Sequence, residues 1–497
     1  MTRHAGITRR SALVRLLAAG VGAAALPACT PTAMRAGGGK TRKAPNILFI
    51  LADDMGWADA GCYGNTFVET PVIDRLATEG MRFTDAYAAP VCSPTRSSIQ
   101  TGQYTARTGI YDFIPGHWRP YEKLIPPPNR LALPLESTTL AEALAPGGYV
   151  ATSIGKWHLG HSTFQQGYVR PPAGDEGLDA LPDGFATKVK AFAKANPGKR
   201  VGPLTKQAVQ FMAAHRDEPF LCFLSHHAVH IVCQARDELV KKYQAKAERR
   251  KTPIYPVYAA MCEAMDESVG LCLETLEHLG LADDTVVVFY SDNGGLDQIY
   301  TGNGPRITTN APLRGFKGSL YEGGIRVPLV VRWPGTTAPG STCRWPVISN
   351  DVLPTLLDVA GIDKRPAQPI DGTSLVPLLQ GRDRVDRDTL YWYYPTYHHS
   401  VPALAVREGD FKLIHFLQDD RVELYNLAED IGEQHDLAAR MPEKAAALKA
   451  KLHAWRKALG APLPEPNPDH DPARAKEWGK NPRWEAHRKK QQRQRKT

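Results

Sequence analysis

Two oxygen-donor pairs lie far apart in the chain: Asp53 with Asp54, and Asp292 with Asn293. Such a set suits a hard cation, calcium or magnesium, rather than zinc. A lone Asp-Asp pair is most often a solvated turn; a second pair of the same kind favours a metal site. Lys156 and His158 stand two residues apart in GKWHLG (155–160) and can turn together toward an anion. His230, in SHHAVH, adds a proton donor, and Lys317, in LRGFKGSLYEGG, adds a cation beside glycines that allow close backbone approach. A metal site built from His226 and His230 is the weaker reading of that histidine cluster. Cys92 opens the stretch CSPTR, with Arg96 one helical turn further on. Pro94 suits a first helical turn, so Cys92 is expected at a helix N-terminus, where a thiol's pKa falls and anions are favoured. The bland readings of Cys92 are a buried small residue or half of a disulfide. The chemical reading is a nucleophile in need of activation.

The elements that must position these groups are legible as apolar runs. Residues 46–52, 149–154, 219–224, 285–291 and 327–333 have strand length and read as buried parallel strands. Helix-like segments at 71–79, 137–145, 205–215, 255–279 and 352–360 alternate with them. This predicts an α/β fold: a large, mostly parallel sheet flanked by helices. Asp53-Asp54, Lys156 with His158, His230, and Asp292-Asn293 each come just after a predicted strand. Ligands of open α/β sheets bind beyond the carboxyl ends of the strands, so these distant residues are expected to meet at one sheet edge. From about residue 385 the pattern becomes antiparallel strands (404–416, 421–427) closed by a helix near 442–459, a smaller C-terminal α+β domain. The proline-rich stretch 125–135 (IPPPNRLALPL) reads as a surface loop.

Cys92-Ser93-Pro94-Thr95-Arg96, with Thr101-Gly102, resembles the signature of the type I, formylglycine-dependent sulfatases. LADDMGW (51–57), GKWHLG (155–160), SDNGG (291–295), LRGFKGSLYEGGIRVP (313–328) and ELYNLAEDIGEQHDLA (423–438) follow in the family's order, so the resemblance spans roughly residues 45–460. The departures are Thr95, where serine is commoner, Phe316, where a small residue is usual, and residues 162–185, which lack the family's glycine–aromatic–acid segment. The resemblance implies an alkaline phosphatase-like fold and hydrolysis of sulfate esters. It implies that a formylglycine-generating enzyme oxidises Cys92 to an aldehyde. It further implies that Asp53, Asp54, Asp292, Asn293 and residue 92 hold one Ca²⁺. By the same resemblance Asp292 is the base, Arg96 steadies the hydrated aldehyde, and Lys156, His230 and Lys317 bind the sulfate. His230 or Lys317 protonates the leaving alcohol, and His158 assists release of sulfate. The alternatives are a phosphate or phosphonate ester hydrolase of the same superfamily, or a non-catalytic lipoprotein that binds sulfated glycans.

Charge sorts the partners. Of the net +9, residues 1–43 carry +8 and residues 472–497 another +8, so the body between them stands at −7. An acidic body argues against nucleic-acid binding. The eight cysteines form no CxxC pair, which argues against a zinc site. Residues 1–29 read as a twin-arginine-type signal peptide, with Arg9-Arg10 before an alanine-rich apolar run. Leu26-Pro27-Ala28-Cys29 resembles a lipobox, which would tether the chain to a membrane through a lipid on Cys29; plain cleavage is the alternative. The expected order is a linker over 30–44, a catalytic domain over 45–384, a C-terminal subdomain over 385–462 and a basic, disordered tail over 463–497, of which residues 472–497 are expected to be dispensable for turnover of a small aryl sulfate. Such a chain is expected outside the cytoplasm: periplasmic, at the cell surface or lipid-anchored. That address, and YWYYPTYHHS (391–400), suggest a sulfated carbohydrate substrate, with an aryl sulfate as a simpler one. The aromatics there would stack on sugar, and His398 or His399 would meet hydroxyls; equally, Trp392 and the tyrosines would pack the domain interface.

Overall fold

The computed structural model describes residues 44–297 and 306–494. The signal-like segment, Cys29 and the linker up to residue 43 lie outside the described residues. No described helix is long and apolar enough to cross a membrane.

Seven strands form the main sheet: β1 (Asn46–Ala52), β2 (Met81–Phe83), β3 (Val150–Gly155), β4 (Phe220–Ser225), β5 (Thr285–Ser291), β6 (Leu329–Arg332) and β7 (Ser341–Cys343). Their order is β3-β4-β1-β5-β6-β2-β7. The four strands from β3 to β5 are parallel. β6 runs antiparallel to both β5 and β2, which corrects the expectation of a parallel strand at 327–333. An apolar run specifies burial on both faces but not direction; among the described residues the connection from β5 holds one helix, the four-residue Glu322–Ile325, shorter than the crossover a parallel return needs.

Alternation along β1 feeds two cores. Leu48 and Ile50 pack with helices α1 (Pro71–Glu79), α3 (Val201–Ala214) and α4 (Pro256–His278), while Ile47, Phe49 and Leu51 pack with α5 (Val352–Val359). Helix α2 (Cys92–Thr101) is buried along its whole length and ends on Gly102, in the left-handed conformation that glycine adopts without strain.

Strands β8 (Thr389–Tyr394), β9 (Ala403–Glu408), β10 (Phe411–Phe416) and β11 (Arg421–Asn426) form an antiparallel sheet, covered by α6 (Pro442–Ala458). It meets the main body through Trp392, whose Nε1 donates to Ala88 O at 3.0 Å and whose ring meets Tyr87 edge-on. That favours packing over sugar stacking for Trp392. A buried ion cluster ties the same junction: Lys412 Nζ lies 2.8 Å from Glu322 and 2.9 Å from Glu433, all three fully buried. Arg326 supplies Glu322 with a second cation at 2.6 Å. Burial pushes the Glu433 carboxyl up to about 7 in spite of Lys412. Lys412→Met removes the cation closest to Glu433 and should destabilise the fold by about 3–5 kcal/mol, as expected for a buried pair broken on one side. Denaturant unfolding reads this directly; a loss under about 1 kcal/mol would contradict the coupling.

The expectation of a disordered tail is not met over 463–490. Glu465–Pro466 pairs with Leu124–Ile125. Asn467 Nδ2 donates to Pro120 O at 2.8 Å and Glu122 O at 2.7 Å. Helix α7 (Pro482–Gln494) follows, and Trp484 packs against the cluster of Ile110, Ile114, Leu133 and Leu159. Average composition hid these few anchors. The cations Lys476, Lys480, Arg488, Lys489 and Lys490 stay exposed, so burying the anchors desolvates little charge.

Candidate active site

The carboxyl ends of β1, β3, β4 and β5 converge on one pocket of about 570 Å³, lined by Asp53, Cys92, Lys156, His158, His230 and Lys317 among others. Asp54, Arg96, Asp292 and Asn293 lie buried beneath it. All ten residues singled out from the sequence are therefore brought together.

Each position follows from a local cause. Asp53 and Asp54 leave β1 where Asp54 adopts φ 67°, a conformation that turns the chain sharply at the strand end. Asp54 N donates to Asp292 Oδ1 at 3.1 Å, which joins the ends of β1 and β5. Gly155 ends β3 at φ +100°, and a Cβ there would lie 2.0 Å from Ser225 O; only glycine lets Lys156 and His158 follow so closely on β4. Lys317 N donates to Gly295 O at 3.1 Å and Gly318 N to Pro90 O at 2.8 Å, so the glycine-rich loop is laced to the turn after β5 and to the segment that leads into the helix carrying Cys92.

Cys92 is the first residue of α2. Its Sγ lies 3.3 Å from His158 Nδ1, and His158 Nε2 donates to Ile114 O at 2.7 Å. With Nε2 committed to a carbonyl, Nδ1 of the neutral ring is an acceptor facing the residue-92 side chain. Burial opposes ionisation, yet the ammonium groups of Lys156 and Lys317 help hold the Cys92 thiol well below its ordinary value. Thr95 is accommodated: its Oγ1 accepts from Ala89 N at 2.9 Å and braces the turn before the helix.

Arg96 grips Asp292 Oδ2 through Nε at 2.9 Å and Nη2 at 2.7 Å, and donates through Nη1 to Lys156 O and Ser225 Oγ. Lys156 Nζ sits 2.8 and 2.7 Å from the two oxygens of Asp53. Lys317 Nζ does the same to Asp54, at 2.7 and 2.8 Å. His230 stands nearer the opening, Nε2 3.6 Å from Asp54 Oδ2. Burial works against ionisation of Asp53, but Lys156, His230 and Arg96 hold its carboxyl far below the usual range. Burial instead pushes Asp292 up to about 7; Arg96 opposes the rise and Asp53 adds to it.

The acidic end of the site fits a hard cation. Ligand atoms of Asp53, Cys92 and Asp292 all lie within 4.8 Å of one another, as do those of Asp53, Asp54 and His230. Asn293 Oδ1 is buried with no hydrogen-bond partner, an acceptor left over while its Nδ2 donates to Asp54 and Gly294. A buried orphan oxygen costs free energy unless something electropositive meets it. His226 is not part of this set: it is fully buried, with Nε2 3.2 Å from Ser268 Oγ.

The pocket also contains residues that sequence reasoning passed over: Phe113, His117, Lys199, His227 and Trp478. They come from loops and from the tail, where no periodicity marks them. His398, one of two residues proposed from YWYYPTYHHS, lines the pocket as well. It approaches Gly318 so closely that a Cβ there would lie 1.7 Å from His398 Nδ1.

Comparison with known proteins agrees with this geometry. The family model described as Sulfatase matches residues 45–362, and one described as N-sulphoglucosamine sulphohydrolase, C-terminal, matches residues 316–458. A sulfatase of Formosa agariphila is 31% identical over 498 residues, covering 83% of this chain and 88% of that protein. Human arylsulfatase A is 32% identical over 464 residues, covering 82% and 86%. A solved structure described as Ps i-CgsB in complex with k-i-k-neocarrahexaose is 26% identical with a TM-score of 0.68, covering 83% and 93%. With relatives above 30% identity across most of its length, and an alkaline phosphatase-like sheet whose strand ends gather the Asp53-Asp54, Lys156/His158 and Asp292-Asn293 motifs beside Cys92 and Lys317, the chain belongs to the sulfatase family and is a sulfuric ester hydrolase.

Proposed function

We propose that the chain removes sulfate from a sulfated carbohydrate outside the cytoplasm, with formylglycine made from Cys92 and one bound Ca²⁺. The observation that carries this is the floor of the pocket: residue 92 at a buried helix start, His158 on one side of it, and three carboxylates with an orphan amide oxygen on the other. Asp53, Asp54, Asp292, Asn293 and residue 92 would hold the ion, which when bound draws charge from sulfate oxygens and acidifies a coordinated hydroxyl. Formylglycine would supply, as its hydrate, two hydroxyls on one carbon: one to bond sulfur, the other to expel sulfate afterwards.

The chain's own residues do the rest. Arg96 fixes Asp292 with two hydrogen bonds, so that its other oxygen, Oδ1, can take a proton from residue 92. Lys156 and Lys317 bring two ammonium groups to the pocket floor, aimed where sulfate oxygens gain charge. His230, nearer the opening, or Lys317 delivers the proton to the departing alcohol. His158 Nδ1 faces residue 92 and can accept the proton released when sulfate leaves. The sugar assignment is supported by the carbohydrate in the Ps i-CgsB complex and by a pocket far larger than a sulfate group. The signal-like residues 1–29 support export, with Cys29 as the lipid site if the segment is processed as a lipoprotein.

The test compares sulfate with phosphate release from matched 4-nitrophenyl esters, followed by a panel of sulfated oligosaccharides. Sulfate release at least about a hundred-fold faster is expected, with one or more glycans desulfated. Faster phosphate release would contradict the reading.

A further inference from the structure

The C-terminal strap does more than cover the surface. Trp478 lines the same pocket as Cys92, Lys156, His230 and Lys317, and it is 43% exposed. A partly exposed indole on the wall of that pocket offers flat apolar surface to whatever enters it. Its position is fixed from several sides. The Arg119 guanidinium lies over the indole at 4.2 Å, and the His117 ring is 5.3 Å away. Gly479 N donates to Trp118 O at 2.9 Å, and Asn481 Nδ2 to Pro115 O at 3.2 Å, fixing the chain just after the tryptophan. Further back, Asp471 N donates to Tyr121 O at 3.1 Å, and Arg474 lies over the Tyr121 ring at 3.5 Å. The segment 465–484 thus runs antiparallel alongside residues 110–125, and these include Ile114, the residue that orients His158.

We propose that this strap is a wall of the substrate pocket and that Trp478 binds the organic group of the sulfate ester, by its flat apolar face. A pyranose ring presents such a face through its axial C–H groups, and an aryl ring through its π surface; both pack on indole. The charged floor takes the sulfate, and Trp478 at the mouth takes what the sulfate is attached to. The proposal rests on the sulfate-binding reading of the floor, so its test compares ligands that share a sulfonate and differ only in what carries it.

Calorimetry on the full chain, loaded with Ca²⁺, would use three inert sulfonates: methanesulfonate, 4-toluenesulfonate and 6-deoxy-6-sulfoglucose. Trp478→Ala should weaken a ring-bearing ligand roughly three- to ten-fold and leave methanesulfonate unchanged. Loss for 4-toluenesulfonate alone assigns the face to aryl groups; loss for the sulfonated sugar assigns it to carbohydrate. Trp478→Phe should keep most of the affinity. Equal affinities of Trp478→Ala and wild type for all three ligands would overturn the proposal. So would an equal loss that includes methanesulfonate, because the tail would then act on the sulfate floor. No binding of any sulfonate to the wild type would remove the sulfate reading itself, and the proposal with it.

Discussion

Cys92→Ser should stop turnover, by about three orders of magnitude or more, while the protein stays folded. The substitution is nearly isosteric at a fully buried helix start, and a serine hydroxyl can take the same place opposite His158 Nδ1. Lys156, Lys317 and His230 remain in place, so sulfate binding should survive. A serine oxygen could bond sulfur once and release the alcohol. The serine sulfate so formed has no second hydroxyl on its Cβ, so sulfate cannot be expelled and the enzyme is left modified. Cys92→Ala should lose that single event as well. A burst of at most one alcohol per Cys92→Ser chain, and none from Cys92→Ala, separates the two in a stopped assay. Sustained turnover by the serine variant would mean that the second hydroxyl is not needed.

Removing the metal should be nearly as severe. Chelation is expected to abolish sulfate release and Ca²⁺ to restore it, because Lys156 and Lys317 otherwise occupy the carboxylates of Asp53 and Asp54. A readout independent of activity exists. A ligand that binds only the folded state, at a hundred-fold excess over its Kd, stabilises by about 2.7 kcal/mol. For a chain of this size that raises Tm by about 3 °C. Asn293→Ala removes the orphan Oδ1 and should lose most of that shift, read against the variant's own ion-free Tm because the Nδ2 hydrogen bonds to Asp54 and Gly294 go as well. An unchanged calcium shift in Asn293→Ala would take this residue out of the ion's ligand set.

The site was legible because an α/β sheet gathers its strand ends. Asp53-Asp54, Lys156, His158 and Asp292-Asn293 each follow a strand whose apolar run is unmistakable, and β1 and β5 span the residues read from sequence, Asn46–Ala52 and Thr285–Ser291. Direction was not legible: residues 327–333 are as apolar as their neighbours, yet β6 runs antiparallel. His117, in a loop, and Lys199, in the single 3-10 turn Gly198–Arg200, were missed because neither setting leaves a period. The tail was misread because ten cations in 26 residues describe its solvated face only. Trp478 and Trp484, two large aromatics in an otherwise charged segment, were the available sign that this stretch packs against something. YWYYPTYHHS divided between both readings: Trp392 packs the junction, while His398 reaches the pocket.

Peptide mass spectrometry of position 92 in active protein, expressed with a formylglycine-generating enzyme, tests the central claim most directly. The account predicts the aldehyde or its hydrate in the peptide that contains Cys92, at an occupancy that scales with specific activity across preparations. A free thiol at position 92 throughout a fully active preparation would contradict it.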